Sequence, residues 1–538
     1  MSDQLPSDEQ VSAKKAIPAD KKMSPKVKQG GLLKSSAVVA VMTMLSRILG
    51  LVRDVVVAVM FGASSGADAF FVAFKIPNFF RRLFGEGAFA QAFVPVLTEY
   101  QQKRPYDVVK DLVDHVAGTL GGVLLVTSLV AVAAAPLLAM VFAPGFTNDV
   151  DKYHLTVDML RLTFPYLMLI SLAGFAGAIL NSYGRFAVPA FTPVLLNLSL
   201  IGCAWLLAPY LDTPVMALAY GVLLAGVVQL LFQLPFLGGL GLLPRPRYRK
   251  QHEGVKQIIT LMIPALFGVS VSQINLLLDT VLASFLQTGS VAWLYYSDRL
   301  TELPLGVFGI AIATVILPSL SKKHTNEDGQ SFAKTLEWAV RMVLLIGVPA
   351  MLALIILAEP LISTLFLHGE MTPKDLPMIA ASLRAYALGL LAFMLIKVLA
   401  PGFFSRQDTK TPVKIAIWAM VANMVLNLML VWHLDHVGLA LATSLSSWLN
   451  AFLLYFALRK EQVFYWQSGI LAYLIRLVLA CAAMVAALLW LMPDGSIWLD
   501  GSVWQRIYWL ASLVVVGGLS YFVVLLIVGL RPRQMRQA

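Results

Sequence analysis

The residues able to do chemistry in this sequence are charges set where charge is expensive. Residues 46–62, SRILGLVRDVVVAVMFG, place Arg47, Arg53 and Asp54 inside an apolar run long enough to cross a bilayer. The next run carries Asp68, Lys75, Asn78, Arg81, Arg82 and Glu86, and a later one carries Asp298, Arg299 and Glu302. Each such charge at a helix centre costs about 2.5–3.5 kcal/mol on insertion scales, so these residues should face a bundle interior or a wet cavity. A guanidinium grips two oxygens at once and suits phosphate or diphosphate better than an ammonium does. The chemistry implied is recognition of an anion within the membrane. Internal ion pairing or snorkelling is the rival account, and it is strongest for Lys75 and for Arg82 with Glu86 at i, i+4.

Enzymatic alternatives find little support. A lipid-diphosphate enzyme would need a general base or a metal, usually supplied by His. All seven histidines, His115, His154, His252, His324, His368, His433 and His436, fall in loops or at helix ends. HLDH at 433–436 has a metal-like look, but a short turn there favours an interfacial role. No GxxxxGK[ST] loop occurs, so ATP is not the motor. Cys203 and Cys481 lie in apolar runs and suggest neither a disulfide framework nor a metal site. The net charge of +11 has no soluble domain on which to form a nucleic-acid face.

Helices must hold these charges. With 59% hydrophobic and 13% charged residues and a mean hydropathy of +0.77, the chain reads as an all-α polytopic membrane protein. Residues 1–34, with seven lysines, read as a disordered basic cytoplasmic tail. Apolar runs then recur near 36–61, 67–97, 113–143, 155–181, 188–208, 214–236, 257–285, 290–319, 335–366, 377–400, 412–433, 437–458, 467–492 and 506–530, about fourteen spans. Alternate loops concentrate Lys and Arg, while the opposite set offers little beyond Lys152 and Lys374, which predicts both termini in the cytoplasm.

An internal repeat organises the spans. Ala69-Phe70 recurs as Ala292-Trp293, Pro95 as Pro318 and Pro189 as Pro412, each 223 residues on (292 − 69, 318 − 95, 412 − 189). The expected division is two pseudo-symmetric six-helix lobes, 35–236 and 257–460, a basic linker at 237–256, and two C-terminal helices within 461–538. A cavity between the lobes, worked by alternating access, follows from that plan. Pro77 and Pro304 should break the charged helices that line it.

SRILGLVRD, ADAFFVAFKIPNFFRRLFGEGAFAQAFVP, YYSDRLTELPLGVFGIAIATVILPSLS and LAPGFFSRQDTKTPVKIAI together resemble the signature stretches of the MurJ (MviN) family, lipid II flippases of the multidrug/oligosaccharidyl-lipid/polysaccharide exporter superfamily. The resemblance covers nearly everything after the tail. It implies fourteen helices around a cationic cavity, with a lipid-tail groove built by the last two. The implied activity is transport of undecaprenyl-diphosphate-linked disaccharide-pentapeptide to the periplasmic leaflet of the inner membrane. Carried over, Arg47, Arg53, Arg81 and Arg299 are the cavity arginines; Asp68, Asn78 and Glu302 join them in substrate binding, and Asp54 and Glu86 act in gating. Ala292 departs from relatives that carry serine there. Some members bind a cation where Asp279, Asn423, Asn427 and Thr443 offer oxygens here; helix packing explains the two Asn and the Thr equally well. No organic cofactor is implied. Na+ or H+ coupling, the membrane, and contacts with the cell-wall synthesis machinery complete the implied partners. A flippase for another polyprenyl-diphosphate-linked oligosaccharide, or a cation-coupled multidrug exporter, is the alternative; an exporter of cations should line its cavity with acids.

Overall fold

The computed structural model describes residues 32–82, 88–248, 252–325 and 329–529. All but the last three residues of the basic tail lie outside them, as do Glu86 and the C-terminal Arg531, Arg533 and Arg536.

Among the described residues the chain forms eighteen α-helices. The first half holds α1 (Leu32–Phe61), α2 (Ser65–Phe80), α3 (Phe89–Lys103), α4 (Tyr106–Ala133), α5 (Ala135–Phe142), α6 (Val150–Ser182), α7 (Ala187–Leu206) and α8 (Met216–Gly238). The second half holds α9 (Glu253–Ser284), α10 (Ser290–Pro304), α11 (Ile310–Thr325), α12 (Gly329–Ile356), α13 (Ala358–Leu365), α14 (Asp375–Phe404) and α15 (Lys410–Lys460). Last come α16 (Ile470–Leu491), the short α17 (Gly495–Asp500) and α18 (Val503–Ile527).

Each of the fourteen apolar runs falls on one of these helices, on a consecutive pair, or on half of α15. Nine described helices are long and apolar enough to cross a membrane by length and composition. The charge-bearing α1, α2 and α10 are not among them. At about 1.5 Å per residue, the 51 residues of α15 would overshoot the ~30 Å hydrocarbon core more than twofold. The chain solves this at Asp435, whose φ of 48° and ψ of −134° turn it back between two antiparallel spans.

The repeat shows in the helix ends. A shift of 223 carries the last residue of α4 onto that of α12 and α5 onto α13 from end to end (356 − 133, 358 − 135 and 365 − 142). Within the first half α6 packs on α8, α2 and α4, and α7 packs on α1 and α8; within the second, α14 packs on α15, α12 and α10. The terminal pair α16 and α18 pack together, and α16 leans on α12.

The loops sort onto two faces. On one, which we call the basic face, the 240–247 linker lies along α4: Tyr106 Oη donates to the Leu240 carbonyl at 2.8 Å, and Asp114 accepts from the Arg245 backbone N–H at 2.8 Å. On the opposite face, the turns after α1, α9 and α13 converge. Glu370 N–H donates to the Val59 carbonyl at 2.9 Å, and Gly62, at φ 59°, packs so closely that a Cβ would sit 2.5 Å from the Glu370 carbonyl oxygen. Position 62 therefore requires glycine on both conformational and steric grounds.

Candidate functional site

Where α1 of the first half meets α10 of the second, one carboxylate gathers two arginines. Asp54 Oδ1 accepts from Arg53 Nη2 at 2.6 Å and Nε at 3.0 Å, and from Tyr295 Oη at 3.0 Å; its Oδ2 accepts from Arg299 Nε at 2.8 Å. Arg53 also donates to Asn197 Oδ1 at 3.1 Å and to Tyr295 Oη at 2.9 Å, while Arg299 reaches Glu302 at 2.7 Å. Asn197, from α7, is itself held by a 3.0 Å bond from its Nδ2 to the Ser46 carbonyl. The result is a knot tying three helices, with Arg53 and Asp54 buried.

Local structure explains how the charges meet. Residues i and i+1 of a helix do not face each other, but the long Arg53 side chain folds back along α1 to its neighbour. Gly50 faces the same cluster: a Cβ there would touch Arg299 Nη2 at 3.4 Å, an ordinary van der Waals contact. Arg47, one turn and a half earlier, rests against Gly306, where any Cβ would collide with its guanidinium. Gly306 belongs to a π-helical turn, Leu305–Gly309, that follows Pro304, so the proline break opens the space the arginine fills. Asn78 and Arg81 form their own pair at the C-terminal end of α2, Arg81 Nε donating to Asn78 Oδ1 at 3.0 Å. Lys75 lies within electrostatic reach of Asp279 and Asp298.

Asp68 stands apart from the arginines. Its carboxylate is buried between α2, α6 and the N-terminus of α10, accepting from Lys152 Nζ at 2.8 Å, from Gly289 N–H at 2.8 Å and from Ala292 N–H at 2.9 Å. It thus caps α10 across the seam, where unpaired N–H groups and the helix dipole favour an anion. Ala292 contributes through its backbone, so alanine in place of serine leaves this bond intact. Beside it Phe71 stacks on Tyr295 with ring centres 4.0 Å apart, and Tyr296 Oη donates to the Gly62 carbonyl at 3.2 Å. This end of the seam is shut. Towards the basic face it loosens: side-chain exposure rises from 1% at Asp68 to 32% at Arg299 and 46% at Glu302.

A separate polar chain lies between α9 and α15. Asn427 Nδ2 donates to Asp279 Oδ1 at 2.7 Å and to Asn423 Oδ1 at 3.1 Å; Asn423 continues to Ser446, which donates to the Thr443 carbonyl. The buried Asn427 Oδ1 has no protein partner. A carboxylate, two amide oxygens, one of them orphaned, and a hydroxyl are a donor set that fits a hard cation. The HLDH residues make no such set: His433 is exposed and bonds within its own helix, while His436 is buried against the Met378 carbonyl.

Sequence reasoning did not single out Asn197, Tyr295 or Lys152 for these roles. Signals existed: Asn197 is an amide in an apolar run, and Lys152 is one of the few cations in the loops opposite the basic ones.

Fold and site define a two-repeat membrane transporter, closed at one face, with arginines at the seam between its halves. A family model described as lipid II flippase MurJ matches residues 57–503. The chain is 51% identical over 514 residues to the probable lipid II flippase MurJ of Vibrio cholerae serotype O1, covering 94% of this chain and 98% of that protein. It is 39% identical over 512 residues to the lipid II flippase MurJ of Burkholderia cenocepacia, covering 94% and 99%. The structure is similar to that of a lipid II flippase MurJ in an inward closed conformation, with TM-score 0.77, 26% identity and coverage of 91% and 98%. A multidrug resistance MATE family transporter in an inward-facing conformation shares the fold, with TM-score 0.64, 15% identity and coverage of 80% and 98%. The chain belongs to the MurJ family of lipid II flippases.

Proposed function

We propose that this protein carries lipid II, the undecaprenyl-diphosphate-linked disaccharide-pentapeptide, from the cytoplasmic to the periplasmic leaflet of the bacterial inner membrane. The carrying observation is the knot: Arg53 and Arg299, from the two halves, converge on the single carboxylate of Asp54. The seam gathers the guanidinium groups of Arg47, Arg53 and Arg299, whose forked N–H donors suit a diphosphate. An organic cation would meet the wrong sign. Asp54 holds the two guanidinium groups in place until cargo oxygens replace its own, an exchange of one anion for another that needs little reorganisation. Rocking of the halves would then break the Asp68 cap at the closed face and close the basic face.

In this reading the basic face is cytoplasmic, which the distribution of Lys and Arg supports. Asp279, Asn423, Asn427 and Thr443 would hold a monovalent cation such as Na+, which supplies neutralisation of a half-buried carboxylate between α9 and α15. Proton or cation coupling, and docking to the cell-wall synthesis machinery, belong to the same proposal.

Depletion of the protein in its native bacterium, followed by assay of which leaflet exposes lipid II, tests the function. Lipid II should accumulate on the cytoplasmic side and growth should stop. Undiminished periplasmic lipid II, in a strain with no second flippase, would overturn the reading.

A further inference from the structure

Asp111 and His115 stand one turn apart on α4, and His252 immediately precedes α9. Together they bring a carboxylate and two imidazoles to one point on the basic face, with their candidate ligand atoms all within 4.8 Å of one another. We propose that Asp111, His115 and His252 form a binding site for a divalent transition-metal ion of the Zn2+, Co2+ or Ni2+ type, which fastens the linker and the start of α9 to α4.

One edge of the cluster already has the spacing of a metal site. His252 Nε2 lies 3.3 Å from Asp111 Oδ2. That is long for an N–H···O bond, whose usual range is about 2.7–3.2 Å, and it matches the ~3.3 Å edge of a tetrahedron with metal–ligand bonds of about 2.0–2.1 Å. The two imidazole rings are neighbours, with centres 4.7 Å apart and planes 25° from parallel. His115 Nδ1 is 2.8 Å from the Asp111 carbonyl oxygen and 3.3 Å from its Oδ1. Donation there leaves the lone pair on Nε2, the orienting bond that metal-ligating histidines commonly make.

Neighbouring groups permit the charge. Lys110, the nearest cation on α4, is spent on the Asp114 carboxylate and the Leu243 carbonyl, so it does not compete for Asp111. Both histidine side chains are about nine-tenths buried while Asp111 is 43% exposed, which leaves a path for the ion and for water to complete its shell. The cost is the α9 cap, since His252 Nδ1 accepts from Val255 N–H at 3.4 Å and must give up that long bond when Nε2 binds metal. Imidazole with carboxylate selects borderline divalent ions over Mg2+ or Ca2+.

The position gives the site its meaning. The linker joining the halves is already laid along α4 by bonds from Tyr106, Lys110 and Asp114. An ion shared by α4 and His252 would complete that fastening where the second half begins.

The test uses the full chain in detergent, with any polyhistidine tag removed. Co2+ titration followed by its visible absorption should saturate at one ion per chain, with Zn2+ displacing it. His115→Asn, His252→Asn and Asp111→Asn should each weaken binding by about 10-fold or more, and His433→Asn should leave it unchanged. Zn2+ should also slow backbone hydrogen exchange across 243–248 in the unsubstituted chain and not in His115→Asn, which keeps the α9 cap and so reports on the ion rather than on folding. Absence of saturable binding, or affinity and exchange indifferent to all three substitutions, would overturn the site.

Discussion

Two carboxylates bridge the same seam, and they do different work. Asp68 meets one ammonium and two backbone N–H groups, all buried, in a place no ligand enters until the helices part. Asp54 meets two arginines and a tyrosine beside side chains one-third to one-half exposed. The first arrangement is saturated and neutral, and it behaves as a latch. The second has more donors than acceptors, and it behaves as a site held ready for another anion. What separates them is donor surplus and access, since the acids themselves are alike.

The comparison predicts its largest effect at the knot. Arg53→Ala or Arg299→Ala removes a charge-assisted contact to cargo in a low-dielectric setting and should lower flipping by roughly 100-fold or more, an effect of about 3 kcal/mol. Folded protein should remain in the membrane, and lysine should restore only part of the activity because it cannot form the bidentate grip. Complementation of a depletion strain, with protein level measured in parallel, reads this out. Normal growth on both alanine variants would remove the knot from the transport reaction.

The latch should respond differently, in population rather than in cargo affinity. Asp68→Asn leaves Lys152, only 5% exposed, as a buried charge without its partner, a loss of about 3–5 kcal/mol for breaking one side of a buried pair. The closed face should open more often, seen as faster modification of a cysteine placed at Ser65 by an impermeant thiol reagent, after Cys203 and Cys481 have been replaced. Adding Lys152→Met removes the stranded charge and should recover most of the thermal stability, but not the closed population, because the α10 cap is still weakened. If the double variant is as unstable as the single one, the two residues are not the pair described here.

The sequence made the knot legible and the latch only half so, for physical reasons. Arg53, Asp54 and Arg299 stand out because charge in an apolar run needs a cause. Asp68 stands out equally, yet two of its three partners are the backbone N–H groups of Gly289 and Ala292, which any residue type would supply. Its third, Lys152, is 84 positions away and looked like loop polarity. The repeat was legible because three anchors, Ala69 with Ala292, Pro95 with Pro318 and Pro189 with Pro412, keep one 223-residue spacing. The Asp111, His115 and His252 cluster was not, since the distance of His252 along the chain hides a contact that only the path of the linker creates.

The smallest effect expected is at Asn197, and it separates positioning from gripping. Its amide takes one hydrogen bond from Arg53 Nη1 and gives one to the Ser46 carbonyl, and it has no charge with which to attract cargo. Asn197→Ala should therefore cost about 1–2 kcal/mol of orientation, on the scale of a buried hydrogen bond to a charged group, and reduce flipping roughly 5- to 30-fold. The loss should depend on Arg53: in an Arg53→Lys background, where the fork Asn197 orients is already gone, Asn197→Ala should add little. Strictly multiplicative losses in the double variant would mean that Asn197 acts independently of Arg53, through the packing of α7 on α1 rather than through the guanidinium. A shared loss would place Asn197 within the knot, as the group that keeps one arginine aimed while Asp54 is exchanged for cargo.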